Sequence, residues 1–552
     1  MTFDYIIIGA GSAGCVLANR LSADPGVSVL LLEAGGPDKK LEIHIPAAYS
    51  KLNRTAVDWA FWTEPQKHVL GRTMYQPRGK TLGGCSSTNA MAYIRGNRQD
   101  FDDWAALGNT GWSYDDVLPY FKRSERNEQI GQLDGRYHGA DGPLNVTFAT
   151  RYRTPLADAF VESCAQTGLN RTLDFNGARQ LGAGFFQFTI KDGKRHSTAT
   201  AFLKPVLNRP NLTVVTHAHT KRIVLEGGVA TGVEFLTGRH STEKAFARRE
   251  VLLSAGAFNS PQLLMLSGIG PREVLQRYGI GVRCERPGVG QNLQDHVFTG
   301  VSSLCSQRGI SSNFHLKPLN QVRGLLQFML RKEGPFTISP LEANAFLNVT
   351  DQTAERPDMQ LHFAPVHVGD QYPDMYDVAN YPHTDGYTIL PTVLKPKSVG
   401  YVSIRSANPL DAPLINPQYM RHEDDRAVLL RGVKKAVDVM QADGFGPYCQ
   451  RLQTPPDRRS DEAMLLHALK QLETVYHPVG TCKMGPAADP MAVVDADLRV
   501  HGVGGLRVID ASIMPTIVAG NTNAACIMIG EKGADLVLGR TAAGVGQQTV
   551  TL

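Results

Sequence analysis

The stretch that decides the fold is FDYIIIGAGSAGCVLANRLSADPGVSVLLLEAG, which spans residues 3–35. Residues 3–8 form an apolar run of strand length, and a glycine-rich turn follows without a spacer. Residues 15–21 have the apolar spacing of a buried helix, and residues 27–32 form a second apolar run. Together these segments predict a β-α-β unit, from which doubly wound α/β folds are built.

The turn of this unit, GAGSAG at residues 9–14, has three glycines with different tasks. Gly9 permits the tight turn, Gly11 lets a pyrophosphate approach the backbone, and Gly14 lets the helix pack on the strand. The helix that follows offers free N–H groups to phosphates. Glu33 ends the second strand, where an acidic residue accepts hydrogen bonds from ribose hydroxyls. The stretch predicts an ADP-containing cofactor rather than a purely structural turn, and Glu33 argues against NADP.

The composition is that of a globular enzyme: 42% of the residues are hydrophobic, 20% are charged and the mean hydropathy is −0.20. The net charge of +5 is mild and comes without a Lys/Arg-rich run, which argues against a nucleic-acid partner. The eight cysteines are scattered without metal-ligand spacing, which predicts reduced thiols, no metal site and a cytoplasmic protein.

Two features of the sequence argue against a transmembrane helix and a signal peptide. No apolar run reaches the roughly 18 residues of a transmembrane helix. The first strand begins at Phe3, which leaves no room for a signal peptide. We therefore expect a protein without a transmembrane segment, and peripheral contact with the inner face of the membrane stays open.

Segments of the cofactor type return in the middle and at the end of the chain. A buried strand at 251–256 precedes a helix at 257–271, and a strand at 506–510 precedes a helix at 522–538. Short strands at 211–216, 222–226 and 232–235 predict a three-stranded meander beside this fold.

Residues 300–475 lose the β-α-β rhythm and alternate strands with helices. We therefore predict an α/β protein with a discontinuous Rossmann-like cofactor domain and an inserted sheet-plus-helix substrate domain of the α+β class. The cofactor domain is predicted at 1–152, 196–300 and 484–552, and the substrate domain at 153–195 and 301–483.

Six motifs now stand in order along the chain: GAGSAG with Glu33, GKTLGGCSSTNAMAYIRG at 79–96, GAFNSPQLLMLSGIG at 256–270, VGQNLQDH at 289–296, YHPVGTCKMG at 476–485 and IDASIMPTIVAGNTNAA at 509–525. With these motifs the chain resembles the glucose–methanol–choline (GMC) family of flavin-dependent alcohol oxidoreductases. The likeness covers nearly all of residues 1–540, and it is strongest toward the choline-dehydrogenase-like and bacterial alcohol dehydrogenase branch.

The resemblance implies FAD as cofactor. Some relatives attach FAD to a histidine in the GGCSS segment, and this chain has Thr88 there, so non-covalent FAD is expected. The positions implied for contact with the adenosine half, the pyrophosphate, the ribityl chain and the flavin are Gly9, Gly11, Ser12, Ala13, Gly14, Glu33, Ala34, Leu82, Gly83, Asn89, Ala90, Met91, Ala92, Thr220, Asp510, Ala511, Thr522 and Asn523.

Alcohol oxidation by a flavin removes a proton from the hydroxyl group and a hydride from the carbon, and flavin N5 takes the hydride. Histidine suits the proton transfer because its unperturbed pKa is about 6.5. Residue type alone selects none of the sixteen histidines. The resemblance implies His477 as the base and Asn521 as the amide that holds the alcohol oxygen. Without the family, a loop histidine and a helix N-cap are the ordinary interpretations of these two residues.

The resemblance also bears on which alcohol the protein oxidises and on the residues that contact it. As aligned here, relatives that oxidise choline have a carboxylate two residues after the QDH histidine, where this chain has Phe298. A phenyl ring offers only a weak cation–π face to trimethylammonium, which favours neutral aliphatic or benzylic primary alcohols. Other apolar walls or substrate contacts are predicted at Trp62, Phe336, His362 and Phe363.

Several functions remain open at this point. The first is an FAD-dependent primary-alcohol dehydrogenase that passes electrons to a quinone or another acceptor. The second is an oxidase of the same family that reduces O₂ to H₂O₂. A non-redox lyase or flavin photoenzyme is less favoured, because His477 and Asn521 both match the redox pattern of the family. A NAD-dependent enzyme would leave residues 71–96 and 506–523 unexplained.

Overall fold

The computed structural model describes residues 1–238, 241–369, 380–455 and 457–540. Residues 541–552, at the end of the predicted cofactor domain, lie outside this part. Two sheets organise the described chain, and α-helices cover them. The α-helices are Ser12–Leu21, Leu41–His44, Arg98–Ala106, Tyr114–Ser124, Pro155–Gln166, Gly256–Leu266, Arg272–Arg277, Ser312–His315, Pro318–Arg331, Glu423–Gln441, Asp461–Lys470 and Asn523–Leu538.

The first sheet is built on the amino-terminal β-α-β unit. Thr2–Ile8 pairs in parallel with Val29–Leu32 on one side and with Ser241–Leu253 on the other. Leu212–Val215 extends the sheet in parallel beyond Val29–Leu32, and Leu506–Val508 pairs in parallel with Ser241–Leu253. The first, middle and last parts of the chain therefore meet in one sheet.

Burial of both faces explains the apolar sequence of these strands. Residues 5–8 and 29–32 are all buried; Ser12–Leu21 packs against these strands, and Asn523–Leu538 packs against that helix in the same core. The helix Asn523–Leu538 also carries a buried carboxylate. Glu531 pairs with Arg20 at 2.6 Å and with Arg123 at 2.8 Å, and so joins three helices.

The meander of the first sheet differs from the predicted one. It is antiparallel and consists of Ala218–Glu226, Val229–Thr237 and Ser241–Leu253. The predicted first strand, at 211–216, belongs instead to the parallel part of the sheet. The prediction missed this because the long strand Ser241–Leu253 belongs both to the parallel part of the sheet and to the antiparallel meander. Its first half is exposed and lacks the apolar run by which a strand is recognised.

The second sheet is antiparallel throughout. Its strands in order are Cys449–Leu452, Val301–Cys305, Gly386–Val393, Met359–Ala364, Ala343–Leu347 and Gly182–Phe185, and the short strand Val297–Phe298 joins Gly386–Val393 to Glu473–Thr474. The helices Pro155–Gln166 and Glu423–Gln441 pack on it and share its core. The boundaries of the two predicted domains stay a prediction.

Short pairings complete the described structure. They are Phe61–Trp62 with Tyr75–Gln76, Glu125–Asn127 with Leu144–Phe148 and Gln187–Phe188, Ile190–Lys191 with Lys194–Arg195, Ile269–Gly270 with Cys284–Glu285, and Tyr401–Ser403 with Leu414–Asn416.

The segment between the two long helical and sheet regions is locally irregular. Residues 182–191 are divided among three short strands, and residues 199–203 form a π-helical turn that a 3₁₀ turn follows. No helix in the described ranges combines the length and apolar character that crossing a bilayer requires.

Candidate active site

A single long cavity lies between the two sheets. At one end it is lined by the carboxyl ends of parallel strands, at Ile8, Leu32 and Ser254. At the other end it is lined by His362 and Leu390 of the second sheet. Open α/β sheets bind their ligands at the carboxyl ends of the strands, so this position is the expected one for a cofactor.

The glycine turn forms one wall of the cavity. A Cβ on Gly14 would lie 1.9 Å from the Gly9 carbonyl oxygen, so this position accepts only glycine. A Cβ on Gly11 would meet nothing closer than the Ser254 oxygen at 3.9 Å, and Gly11 lines the cavity. The helix Ser12–Leu21 begins there without a side-chain cap, and Ser12 and Ala13 line the same wall. The space in front of Gly11 therefore suits a phosphate group.

Glu33 and Ala34 follow the turn along the same wall. The Glu33 carboxylate accepts hydrogen bonds from the backbone N–H groups of Ala10 at 2.9 Å and Gly35 at 2.8 Å. Burial raises the pKa of Glu33 to about 7. Thr220 also lines this part of the cavity, beside a bulge in the strand Ala218–Glu226.

The small-residue segment 79–92 packs against the turn. A Cβ on Gly84 would lie 2.8 Å from the Cα of Gly11, so the two loops touch through glycine. Buried Arg195 fixes the segment by donating to the Ser86 carbonyl at 3.2 Å and to Asn89 Oδ1 at 2.9 Å.

Of the residues that this segment was predicted to contribute, the structure places four on the cavity wall and two behind it. Leu82 and Gly83 lie behind the wall, where the Gly83 N–H donates to the Ala10 carbonyl at 2.7 Å. Thr88 also lines the cavity. The four predicted residues on the wall are Asn89, Ala90, Met91 and Ala92.

The carboxy-terminal segment closes the wall between the two ends of the cavity. Asn523 accepts a hydrogen bond from the Ser12 hydroxyl at 2.7 Å, so two helices begin side by side. Ala511 and Thr522 line the cavity next to them. The Asp510 carboxylate is engaged by the protein itself, since Gly256 N, Ser260 Oγ and the backbone and hydroxyl of Ser512 all donate to it.

Antiparallel pairing brings the QDH motif beside the YHP motif. Gln294 exchanges backbone hydrogen bonds with Val479, and the Val475 N–H donates to the His296 carbonyl. Buried Asp295 fixes the loop, because its carboxylate accepts from Thr474 Oγ1 at 2.5 Å and from the backbone N–H of His477 at 2.8 Å. The position of the His477 ring is thereby set by the second sheet.

Four residues form a continuous hydrogen-bond chain at this end of the cavity, which we call the histidine chain: Leu394, His296, His477 and Asn521. His296 Nε2 lies 2.9 Å from the Leu394 carbonyl oxygen, and His296 Nδ1 lies 3.0 Å from His477 Nδ1. His477 Nε2 lies 3.2 Å from Asn521 Nδ2.

The Leu394 carbonyl at one end of the histidine chain determines which ring nitrogen of each histidine carries the proton. A carbonyl only accepts, so His296 must donate from Nε2, and a neutral His296 then has an unprotonated Nδ1. His477 must therefore donate from Nδ1, which leaves a lone pair on its Nε2. Burial supports the neutral forms, since it lowers the pKa of His296 to about 3 and, together with the positive charge of Arg78, that of His477 well below its ordinary value.

Two unpartnered polar atoms also lie at this end. Asn521 Oδ1 and His362 Nε2 are buried and have no hydrogen-bond partner among the described residues, and both side chains line the cavity. His362 Nδ1 donates to Thr392 Oγ1 at 3.0 Å, which leaves a lone pair on its Nε2. Burial lowers the pKa of His362 to about 3. Buried unpaired polar groups of this kind mark a place for a ligand.

Only one of the four aromatic side chains predicted to line the substrate site lies on the cavity wall. Phe298 lines the cavity. Phe363 is buried in the core of the second sheet, where it stacks on Phe160 with 5.0 Å between ring centroids. Phe336 packs beside Gly324, and the Trp62 side chain is 45% exposed under Arg54. Neither Trp62, Phe336 nor Phe363 is part of the cavity wall.

Several residues of the site were missed by the sequence reasoning. His296, Asp295 and Arg195 act on the site through contacts with residues far away in the chain. Arg78, which lines the cavity and donates to the Tyr476 carbonyl at 2.6 Å, was also missed. The QDH motif was a usable signal for the first two, because an adjacent carboxylate and histidine that are both buried need hydrogen-bond partners.

The cavity fits FAD. The open space before Gly11, the uncapped helix start, the Glu33 carboxylate and the unpartnered atoms of Asn521 and His362 offer partners along its whole length. No group of three or more His, Cys, Asp or Glu side chains in the described ranges is arranged to hold a metal ion.

Comparisons with known proteins agree with this geometry. Two family models described as GMC oxidoreductase match residues 3–298 and 396–530. This chain belongs to the GMC oxidoreductase family. It is therefore an FAD-dependent enzyme that oxidises CH–OH groups.

Individual relatives extend over nearly the full chain. Identity is 44% with an oxygen-dependent choline dehydrogenase of Brucella anthropi, over 98% of this chain and 96% of that protein. It is 41% with an alcohol dehydrogenase [acceptor] of Pseudomonas putida, over 97% and 96%. The crystal structure of pyridoxine 4-oxidase from Mesorbium loti superposes with a TM-score of 0.87 at 33% identity, over 96% of this chain and 98% of that one.

Substitution of Gly11 and Gly14 by alanine separates cofactor binding from folding. We expect Gly14→Ala to lower the stability of the FAD-free protein, because its Cβ collides with the Gly9 backbone. Gly11→Ala should leave that stability unchanged and weaken FAD binding at least about tenfold, since hydrogen bonds to a charged group contribute about 1.5–3 kcal/mol. Thermal unfolding of the FAD-free proteins and FAD titration measure the two effects. Equal behaviour of the two variants would contradict this division.

Proposed function

We propose that this enzyme oxidises a neutral primary alcohol, aliphatic or benzylic, to the aldehyde and passes the electrons to a quinone or another acceptor. The observation that carries the proposal is the lone pair on His477 Nε2, which the histidine chain directs away from His296 and toward Asn521. A neutral, unprotonated imidazole in a buried cavity is equipped to take the hydroxyl proton of an alcohol.

Asn521 is proposed to hold the alcohol oxygen. Its Nδ2 lies 3.2 Å from His477 Nε2, so an alcohol oxygen that displaces this hydrogen bond and contacts both side chains would donate its proton to His477 and accept from Asn521. An amide N–H aimed at an oxygen that becomes negative stabilises the alkoxide in a site that excludes water. The unpartnered Asn521 Oδ1 remains available to the cofactor.

FAD, when bound, accepts the hydride that leaves the carbinol carbon. We propose that it is held without a covalent bond, because Thr88 occupies the relevant position of the loop. The residues proposed to hold it along the cavity are Gly9, Gly11, Ser12, Ala13, Glu33, Ala34, Asn89, Ala90, Met91, Ala92, Thr220, Ala511, Thr522 and Asn523.

A neutral substrate is favoured by the charges around the cavity. Of the carboxylates in its lining, Asp58 accepts four hydrogen bonds within the protein, from Arg54 N, Ala60 N, Arg78 N and Tyr75 Oη. Asp510 is similarly occupied, and Glu33 lies at the far end. Arg78 contributes a positive charge near His477 and lowers the pKa of His477, so a cationic alcohol would meet repulsion there. Phe298, Leu341 and Leu390 offer apolar surface instead.

The acceptor and the cellular location belong to the same proposal. A quinone as acceptor would require the enzyme to work at the cytoplasmic face of a membrane, as a peripheral protein. Anaerobic reduction by an alcohol followed by admission of air tests this: reduced flavin that persists in air supports a dehydrogenase, and rapid reoxidation with release of H₂O₂ supports an oxidase.

Replacing His477 should slow the oxidation of alcohol without loss of FAD. We expect His477→Ala to bind FAD and to reduce it about 10²–10⁴-fold more slowly with alcohol, because general-base catalysis contributes that much. Anaerobic stopped-flow absorbance of the flavin measures the rate, with the surface variant His422→Ala as control. Reduction at the parent rate in His477→Ala would show that another group takes the proton.

The pH dependence follows from the lowered pKa of His477. The base is active when neutral, and a lowered pKa means that it stays neutral while the pH falls through the ordinary histidine range. We therefore expect the rate constant of flavin reduction to stay constant from about pH 8 to about pH 6.5 and to decline only below that value. Anaerobic stopped-flow measurements at saturating alcohol provide the profile. A limb with its midpoint at or above about 6.5 would contradict the assignment.

Substitution of Phe298 tests the substrate class. In the parent enzyme we expect a higher kcat/KM for butanol or benzyl alcohol than for choline. Phe298→Glu should raise the ratio of choline to butanol at least about tenfold, since a nearby opposite charge contributes more than about 1.4 kcal/mol in a buried site. Phe298→Leu controls for the loss of the ring. A parent enzyme that prefers choline would overturn the neutral-alcohol proposal.

A further inference from the structure

The helix Pro318–Arg331 displays apolar side chains to solvent, which is unusual for a helix of a globular protein. Leu319 is 86% exposed and Leu330 is 81% exposed. Of the eighteen large apolar side chains exposed in the described residues, five lie on this one helix: Leu319, Val322, Leu326, Met329 and Leu330. Single exposed leucines are normal on a surface, whereas a group of five on fourteen residues indicates a contact site.

The five side chains share one face. At roughly 100° per residue they span an arc of about 100° on the helix. A different side of the helix, with Gly324 and Phe328, is buried against the protein. The exposed apolar face is therefore a second stripe, which the protein's own core does not require.

Positively charged residues outnumber acidic ones in and beside this helix. From Ser306 to Glu333 the sequence has one acidic residue, Glu333, and five basic ones: Arg308, Lys317, Arg323, Arg331 and Lys332. Arg323 and Arg331 are exposed on the helix itself. Apolar residues on one face with Lys or Arg beside them are typical of helices that lie in the interface of an anionic bilayer.

The charges also distinguish a membrane from a second copy of the chain. A two-fold dimer on this helix would bring the same basic face of both copies together, and like charges in contact oppose association. Anionic lipid headgroups would neutralise those charges and would accept the apolar side chains below them.

The helix lies close to the wall of the cavity. A Cβ on its Gly324 would touch the Phe336 ring at 3.5 Å, and the turn Pro335–Thr337 contacts the turn Pro46–Leu52. Tyr49, Ser50 and Leu52 of the latter turn line the cavity. A membrane on the helix would thus lie on the side of the protein where that wall is formed.

We propose that Pro318–Arg331 is a membrane-docking helix, which inserts Leu319, Val322, Leu326, Met329 and Leu330 among anionic lipids while Arg323 and Arg331 contact their headgroups. This surface goes beyond the alcohol chemistry and does not depend on which substrate or acceptor the enzyme uses.

Co-sedimentation of the FAD-loaded enzyme with vesicles tests the proposal, with flavin absorbance as the measure of bound protein. We expect binding to phosphatidylcholine vesicles that contain phosphatidylglycerol, and weaker binding in high salt. The triple variant Leu319→Ser/Leu326→Ser/Leu330→Ser should lower the partition coefficient at least tenfold. The matched variant Leu107→Ser/Leu207→Ser/Leu410→Ser, also at exposed leucines, should bind like the parent.

A second pair of measurements separates charge from apolar insertion. Arg323→Gln/Arg331→Gln should weaken binding to the anionic vesicles and leave any binding to pure phosphatidylcholine unchanged. FAD content and turnover with a soluble dye acceptor, both expected at the parent level in all variants, verify that the proteins are folded.

Three results would overturn the proposal: a parent enzyme that stays in the supernatant with anionic vesicles, a helix variant that binds them like the parent, or a parent dimer that the helix variant dissociates. A failure of alcohol oxidation would leave the vesicle result unaffected, so the two proposals are tested separately.

Discussion

The hydrogen bond between the Nδ1 atoms of His296 and His477 is the contact on which the rest of the site depends. Two neutral histidines that meet through the same kind of nitrogen must divide the roles of donor and acceptor between them. The Leu394 carbonyl fixes these roles. It only accepts, so the proton of His296 must be on Nε2, and His296 Nδ1 is left as the acceptor for His477. The direction of the His477 lone pair is therefore a property of the backbone of the second sheet rather than of His477 alone.

The fold supplies the conditions for this contact. The pairing of residues 294–298 with 473–479 holds the two rings together, and Asp295 fastens the His477 backbone from behind. Burial keeps both imidazoles neutral by lowering the pKa of each. The first sheet and its glycine turn form the other end of the same cavity, so cofactor and alcohol oxygen meet where the two sheets face each other.

Most of what the sequence predicted about the fold and the cofactor site came from patterns within short segments. The β-α-β unit, the roles of Gly9 and Gly14 and the position of Glu33 follow from spacing within thirty-odd residues, and the family motifs pointed to FAD and to alcohol oxidation. The structure places His477 and Asn521 in hydrogen-bond contact, and their catalytic roles stay predictions.

Long-range contacts explain what could not be predicted. His296 and Arg195 matter through partners that lie more than one hundred residues away, which no spacing rule reveals. Phe363 has the same residue type as Phe298, yet it points into the core of the second sheet, because strand alternation and register decide which side of a sheet a ring occupies. The exposed stripe of Pro318–Arg331 also required the structure, since an apolar helix face in a sequence is ordinarily a buried one.

Neutron diffraction from the deuterated holoenzyme would locate the deuterons on the two imidazoles and so test the direction of the His296–His477 hydrogen bond. We expect a deuteron on Nε2 of His296 and on Nδ1 of His477, and none on His477 Nε2. A deuteron on His477 Nε2 in the resting enzyme at neutral pH would contradict this expectation, since the atom that faces Asn521 would then already hold the proton it is proposed to accept.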